Sequence, residues 1–225
     1  MLLCYVTDRR LIEGDPSSPT TDDLLLRIGR AAAAGVDWIQ IREKDLPARE
    51  LLELTRGAIV TVQNRATAGP QVPARVLVLI NDRLDVALAA GASGIHLGGG
   101  SIPVGKVVPW VRAGNAPADF LVGVSCHEIH DAIEAERAGA NYIFFGPVYD
   151  TPSKIGFGAP QGLDKLAEVC RRVRIPVLAI GGMNKENAAA CMRAGAAGIA
   201  AIRLFQQPPD DATLGGIVRR LRAIP

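Results

Sequence analysis

The chain has 225 residues, 48% of them hydrophobic, with 24 glycines and a formal net charge of +2, which suits one domain over residues 1–225 with a sizeable core. The near-neutral charge and the lack of a basic stripe exclude a general nucleic-acid binder, and no apolar run reaches the length of a membrane span. The start Met1-Leu2-Leu3-Cys4-Tyr5-Val6 has no basic head of a signal peptide, and the four cysteines are scattered without metal-type spacing, so a reducing cytoplasm is the expected location.

Taken in chain order, apolar runs predict strands at 2–7, 38–42, 76–81, 94–97, 121–125, 142–148, 177–181 and 198–204. Most are continuously apolar, as parallel strands buried on both faces are. Helices are predicted to start at Thr21-Asp22, Pro47, Arg83, Pro103, His127-Glu128, Pro160, Asn184 and Asp210, since proline suits a first turn and Asp or Asn a cap. Arg171-Arg172 and Arg219-Arg220 fall near predicted helix ends, where cations complement the helix dipole. Residues 13–20 and 66–73 read as surface loops rich in Gly, Pro, Ser and Thr.

One phrase occurs four times: Ala34-Gly35-Val36-Asp37-Trp38-Ile39, Ala90-Gly91-Ala92-Ser93-Gly94-Ile95, Ala138-Gly139-Ala140-Asn141-Tyr142-Ile143 and Ala194-Gly195-Ala196-Ala197-Gly198-Ile199. Each is a helix ending on glycine and turning into an apolar strand. Two strand–helix units fit between successive copies, so four copies predict eight strands. The even repeat, without a reversal point, favours a closed (β/α)8 TIM barrel of eight parallel strands over an open doubly wound sheet.

A barrel of this kind places its chemistry at the carboxyl ends of the strands. Those ends are polar here: Gln40, Arg42 and Lys44 after strand two, Asn81-Asp82 after three, His96 and Gly98-Gly99-Gly100-Ser101 after four, Ser125 and His127 after five, Thr151, Ser153 and Lys154 after six, Gly181-Gly182 after seven, and Ile202 and Arg203 at eight. Alternation puts Gln40, Arg42 and Lys44 on one side. With Lys154 they would form a cationic pocket for phosphate or diphosphate, and the backbone N–H groups of Gly181-Gly182 and of the turn after Ile202 would form a second phosphate site. Each residue also has a plainer reading: Arg42 with Glu43 as a surface ion pair, Asn81-Asp82 as a helix cap, His127 as a helix-start residue, His96 as a packed strand residue. His127 and His130 have one-turn spacing, but no carboxylate or cysteine set joins them as a metal site.

In combination and order, Tyr5-Val6-Thr7-Asp8, Gln40-Ile41-Arg42-Glu43-Lys44-Asp45, Asn81-Asp82, His96-Leu97-Gly98, Gly123-Val124-Ser125-Cys126-His127, Phe145-Gly146-Pro147-Val148, Thr151-Pro152-Ser153-Lys154 and Ala179-Ile180-Gly181-Gly182 make the chain resemble the thiamine phosphate synthase and TenI-type thiazole tautomerase superfamily. The resemblance implies a transferase that joins hydroxymethylpyrimidine diphosphate to thiazole phosphate or its carboxylate and releases diphosphate. It assigns Gln40, Arg42, Lys44, Asn81, Ser125 and Lys154 to the pyrimidine diphosphate, and Thr151, Ser153, Gly182, Ile202 and Arg203 to the thiazole phosphate. Asp82 is assigned to Mg²⁺, and Arg42, Lys154 and His127 to the chemistry. At the position where this family usually supplies a second metal aspartate, the sequence has Ser101, and Arg203 stands where serine is usual. The segment Gly156-Phe157-Gly158-Ala159-Pro160-Gln161-Gly162 looks more like the tautomerase branch, in which His127 would shuttle a proton without metal. A third alternative is a phosphate-ligand sensor without catalysis. A homo-oligomer is compatible with all three.

Overall fold

The computed structural model of the chain describes residues 1–12, 21–65, 75–151 and 159–224. Eight parallel strands close into a barrel in sequence order: β1 (Leu2–Val6), β2 (Trp38–Ile41), β3 (Leu77–Asn81), β4 (Gly94–Leu97), β5 (Leu121–Cys126), β6 (Tyr142–Phe145), β7 (Val177–Ile180) and β8 (Gly198–Ala201), with β8 pairing back to β1. Helices α1 (Thr21–Ala34), α2 (Ala48–Arg65), α3 (Leu84–Ala90), α4 (Val104–Trp110), α5 (Ile129–Arg137), α6 (Gly162–Arg172) and α7 (Ala188–Arg193) connect successive strands. A short α8 (Arg203–Gln206) and α9 (Asp211–Arg222) follow β8. None of the helices among the described residues is long and apolar enough to cross a membrane.

The repeated phrase has one physical job. Its glycines Gly35, Gly91, Gly139 and Gly195 all sit at positive φ, the left-handed position that ends a helix at little cost for glycine. The next residue donates its N–H to the carbonyl five residues earlier: Val36 to Ala31 (3.3 Å), Ala92 to Ala87 (2.9 Å), Ala140 to Ala135 (2.9 Å) and Ala196 to Cys191 (3.1 Å). One residue further on, Asp37, Ser93, Asn141 and Ala197 already donate to the preceding strand. The turn therefore closes a helix and opens a paired strand within three residues.

Strand residues alternate between two cores. Leu3 and Tyr5 of β1, and Ile143 and Phe145 of β6, belong to the core between strands and helices. Cys4, Val6, Tyr142 and Phe144 belong to a separate cluster inside the barrel, with Leu79, Leu178 and Ala200. At equivalent places in the four phrases stand Trp38, Gly94, Tyr142 and Gly198. The two aromatic rings lie 4.7 Å apart. A Cβ on Gly94 would meet the Leu121 carbonyl oxygen at 2.4 Å, and one on Gly198 the Leu2 carbonyl oxygen at 2.1 Å. Two large side chains and two absent ones thus fill one interior layer contributed by alternate strands.

Several strands are shorter than the apolar runs suggest. β6 stops at Phe145 instead of 148, because Pro147 has no N–H for a ladder. β7 stops at Ile180, because Gly181 turns to φ 94°. β8 stops at Ala201 instead of 204, so Arg203 is not a strand residue: it opens α8. β2 likewise ends at Ile41, one residue before Arg42. The predicted loops 13–20 and 66–73 lie outside the described residues.

Candidate active site

The carboxyl ends of all eight strands surround one cavity of about 660 Å³, within the size range of small-molecule sites. Period-two alternation carries Gln40, Arg42 and Lys44 to its wall, as the sequence predicts. Glu43 points the other way, into a buried position between Thr7 and Arg9, so Arg42 and Glu43 are not the surface ion pair of the plainer reading. Arg42 makes no ion pair with any described residue. Gln40 is 2% exposed. Its Nε2 donates to Asn81 Oδ1 at 3.2 Å, while its Oε1 is buried with no donor among the described residues. A buried carbonyl without a partner costs about 1–3 kcal/mol, which marks it as an acceptor for a ligand N–H.

His96 and Ser125 form the cavity floor. His96 is buried, with Nε2 2.8 Å from Ser125 Oγ and Nδ1 3.1 Å from Tyr142 Oη. Its ring packs on Phe144, centroids 4.2 Å apart. Burial, reinforced by the nearby Arg42 charge, pushes its pKa down to about 3, so the ring is neutral and works as one donor and one acceptor. His127, half-buried at the start of α5, also lines the cavity. Its Nδ1 lies against the Gly146 carbonyl oxygen. A carbonyl only accepts, so Nδ1 carries the proton and Nε2 is the acceptor of the neutral ring.

Across the mouth, Thr151, Gly181, Gly182, Ile202 and Arg203 line the opposite wall. Gly181 and Gly182 both have positive φ, and a Cβ on either would run into the β6 loop: 2.5 Å from Pro147 Cβ and 2.5 Å from the Asp150 carbonyl oxygen, respectively. Only glycine lets these loops approach so closely. Asn187 Nδ2 holds the Gly182 carbonyl at 2.9 Å. Ile202 caps α8 and Arg203 begins it, the short extra helix after the eighth strand that barrels use for phosphate. Ser153 and Lys154 lie outside the described residues.

Asp82 differs from expectation. It is exposed, at φ 66°, held by its N–H to the His96 carbonyl (2.9 Å). It lines a neighbouring cleft of about 370 Å³ and not the main cavity, though Lys44, Asn81, Gly98 and Gly99 border both. Ser101 also lines this cleft, with its Oγ accepting the Gly98 N–H at 2.7 Å. Among the described residues no three His, Cys, Asp or Glu side chains cluster to hold an ion. Magnesium takes one or two carboxylates and keeps waters and phosphate oxygens. Glu43 also borders this cleft, but its carboxylate is buried and bonded to Thr7 and Arg9, so Asp82 is the cleft's one exposed carboxylate, which suits an ion brought by a diphosphate and does not suit an ion held by protein alone.

Other residues of the site escape sequence reasoning. Thr7, last in the first predicted strand, and Glu43, read as half of a surface ion pair, are both buried. Arg10, on a 3-10 turn over Arg9–Leu11, lines the mouth beside Asp8. Gln206, buried in α8, accepts from Tyr5 Oη (2.8 Å) and the Asp8 N–H (3.1 Å) and donates to the Asp8 carbonyl (2.7 Å). No periodic signal marks a four-residue helix, so this contact across 201 residues has no trace in the sequence.

Known proteins match this chain along nearly its whole length. The family model described as thiamine monophosphate synthase matches residues 3–205. A putative thiamine-phosphate synthase of Geobacter sulfurreducens is 43% identical over 92% of this chain and 88% of its own. A thiamine-phosphate synthase of Methanocella arvoryzae is 42% identical over 99% and 93%. The solved structure of thiamine phosphate pyrophosphorylase from Pyrococcus furiosus superposes with a TM-score of 0.77 at 29% identity, covering 99% of this chain and 94% of that one. With a closed eight-stranded barrel, a cationic cavity at its carboxyl end and these relatives, the chain belongs to the thiamine monophosphate synthase family.

Proposed function

We propose that the chain is a thiamine phosphate synthase, which condenses hydroxymethylpyrimidine diphosphate with thiazole phosphate and releases diphosphate. The observation that carries this reading is the buried Gln40 Oε1, which has no donor among the described residues, two residues before Arg42, whose guanidinium makes no ion pair among them. An aminopyrimidine supplies the missing N–H, and its diphosphate supplies the anion. The bond from the pyrimidine methylene to the diphosphate oxygen breaks with both electrons leaving on oxygen, and the thiazole nitrogen closes on the methylene carbon. Catalysis then consists of stabilising charge on the leaving group and aligning the two partners.

In this reading Arg42 and Lys44, with Lys154 by family resemblance, neutralise the diphosphate. Asn81 fixes the Gln40 amide, and Ser125, anchored by His96, contacts the pyrimidine side. Thr151, Ser153, Gly182, Ile202 and Arg203 take the thiazole phosphate, the Arg203 guanidinium being able to grip it bidentately. Asp82 would hold Mg²⁺, which when bound lowers the charge on the diphosphate oxygens; a serine at 101 leaves that hold to one protein carboxylate. His127, with Nε2 as acceptor, supports a second reading as a thiazole phosphate carboxylate tautomerase that needs no metal.

Purified protein given both substrates, with Mg²⁺ or with chelator, tests the choice. Diphosphate release that chelator suppresses is the expected result. No release above background overturns the synthase reading; chelator-insensitive proton exchange on the thiazole carboxylate, lost in His127→Ala, installs the second.

A further inference from the structure

Beyond the residues assigned to substrate, the hydrogen bonds at the end of β1 carry one more conclusion. The last β1–β2 backbone bond runs from the Thr7 N–H to the Gln40 carbonyl at 2.9 Å. After it the Arg42 N–H donates to a side chain, Thr7 Oγ1, at 3.0 Å. That hydroxyl spends its own proton on Glu43 Oε1 at 2.6 Å, so one fully buried oxygen has both its donor and its acceptor directions fixed. Glu43 is fixed in turn. The Arg9 N–H reaches both its oxygens at 3.2 and 3.1 Å, and Arg9 Nη1 reaches Oε2 at 3.2 Å. Arg9 is itself held bidentately by Asp45, at 2.7 and 2.8 Å.

We infer that Thr7 and Glu43 are positioning residues for Arg42: they hold its backbone, and so its guanidinium, at the diphosphate end of the cavity. The reason is geometric. Once a strand leaves its ladder nothing regular fixes which side its residues face. Pinning residue 43 outward forces 42 and 44 toward the mouth. A carboxylate buried at 4% exposure is expensive unless every lone pair is used, and here it is used to fix a neighbour. Neither residue lines the cavity with Arg42, and Glu43, which borders the neighbouring cleft, has both carboxylate oxygens engaged by Thr7 and Arg9.

This inference rests on the synthase reading for its biological meaning, but its test has a readout of its own: binding of inorganic diphosphate by calorimetry. Thr7→Val keeps the shape and removes the hydroxyl; Thr7→Ser restores it. Thr7→Val is expected to bind diphosphate about tenfold or more weakly, with thiazole phosphate affinity within about twofold of wild type and Thr7→Ser close to wild type in both. Glu43→Gln, which removes the charge that orders Arg9, is expected to weaken diphosphate in the same selective way, and serves if Thr7→Val does not fold. Unchanged diphosphate affinity in both variants, equal weakening of both ligands, or failure of wild type to bind diphosphate overturns the inference. A wild type that binds diphosphate selectively through Thr7 yet never turns over both substrates overturns the synthase reading alone.

Discussion

Ser101 and His96 show how single side chains set the character of the site. The Ser101 hydroxyl accepts the Gly98 N–H and closes its own loop, so Asp82 is the one exposed carboxylate of its cleft where an aspartate at 101 would add a second. An aspartate there could accept the same N–H with one oxygen and present the other. Ser101→Asp is therefore expected to lower the magnesium concentration giving half-maximal diphosphate release by about tenfold, roughly the effect of a second carboxylate on a hard cation; a magnesium titration with an unchanged midpoint would contradict the Asp82 assignment. His96 makes a different prediction. Its folded pKa, about 3, lies below the ordinary imidazole value of 6.5, so between these values the unfolded chain binds the extra proton. Stability is full above pH 6.5 and falls as pH drops toward 3, by roughly 2 kcal/mol between pH 7 and pH 5. His96→Gln is expected to be less stable at pH 7 but to show a flatter decline in thermal midpoint over this interval. Parallel declines in the two proteins would show that other groups carry the acid sensitivity.

Among the elements, α8 couples the two ends of the site. Its Gln206 is buried and bonded to Tyr5 Oη and to both backbone groups of Asp8, while its first residue, Arg203, stands at the cavity. Gln206→Leu leaves the buried Tyr5 hydroxyl and the part-buried Asp8 N–H without this partner, which costs about 1–3 kcal/mol of stability. It also frees α8 to shift, so the KM for thiazole phosphate should rise more than the KM for the pyrimidine diphosphate; equal changes would show that α8 does not orient the phosphate wall. This element also shows where sequence reading stops. The eight strands were legible because glycine-ended helices and apolar runs are local signals, and the wall of Gln40, Arg42 and Lys44 followed from period two. The strand ends at Ala201 and Phe145 were not, because apolar Ile202, Leu204 and Val148 continue the run in composition while the backbone leaves the sheet. Thr7, Glu43 and Gln206 were missed for a related reason: their roles depend on partners 34 to 201 residues away, and nothing local distinguishes a buried glutamine from an exposed one.

For the whole molecule, the decisive contact is closure, where β8 meets β1 and residues nearly 200 positions apart become neighbours, Leu2 with Gly198. Gly198 lies against the Leu2 backbone so closely that a Cβ would sit 2.1 Å from its carbonyl oxygen and 2.7 Å from its Cβ. Backbone cannot yield as a flexible side chain can, so a larger residue must part the two strands or break their register. Gly198→Val is expected to cost on the order of 4 kcal/mol or more, or to prevent folding. Two other glycines separate this clash from the general effects of replacing glycine. Gly91 has φ 71° and open space around its Cβ position, so Gly91→Ala carries only left-handed strain, about 1–2 kcal/mol. Gly99 has open space and no such φ, so Gly99→Ala should stay within about 0.5 kcal/mol of wild type. Denaturant unfolding of the three variants measures the series. Because closure joins the first strand to the last, loss at the seam should lower the midpoint of the whole transition and leave its slope unchanged, since the slope follows the surface exposed on unfolding. A Gly198→Val protein that unfolds in two steps would show instead that the seam opens while the rest of the barrel stands, and that the repeat units, not closure, carry the stability.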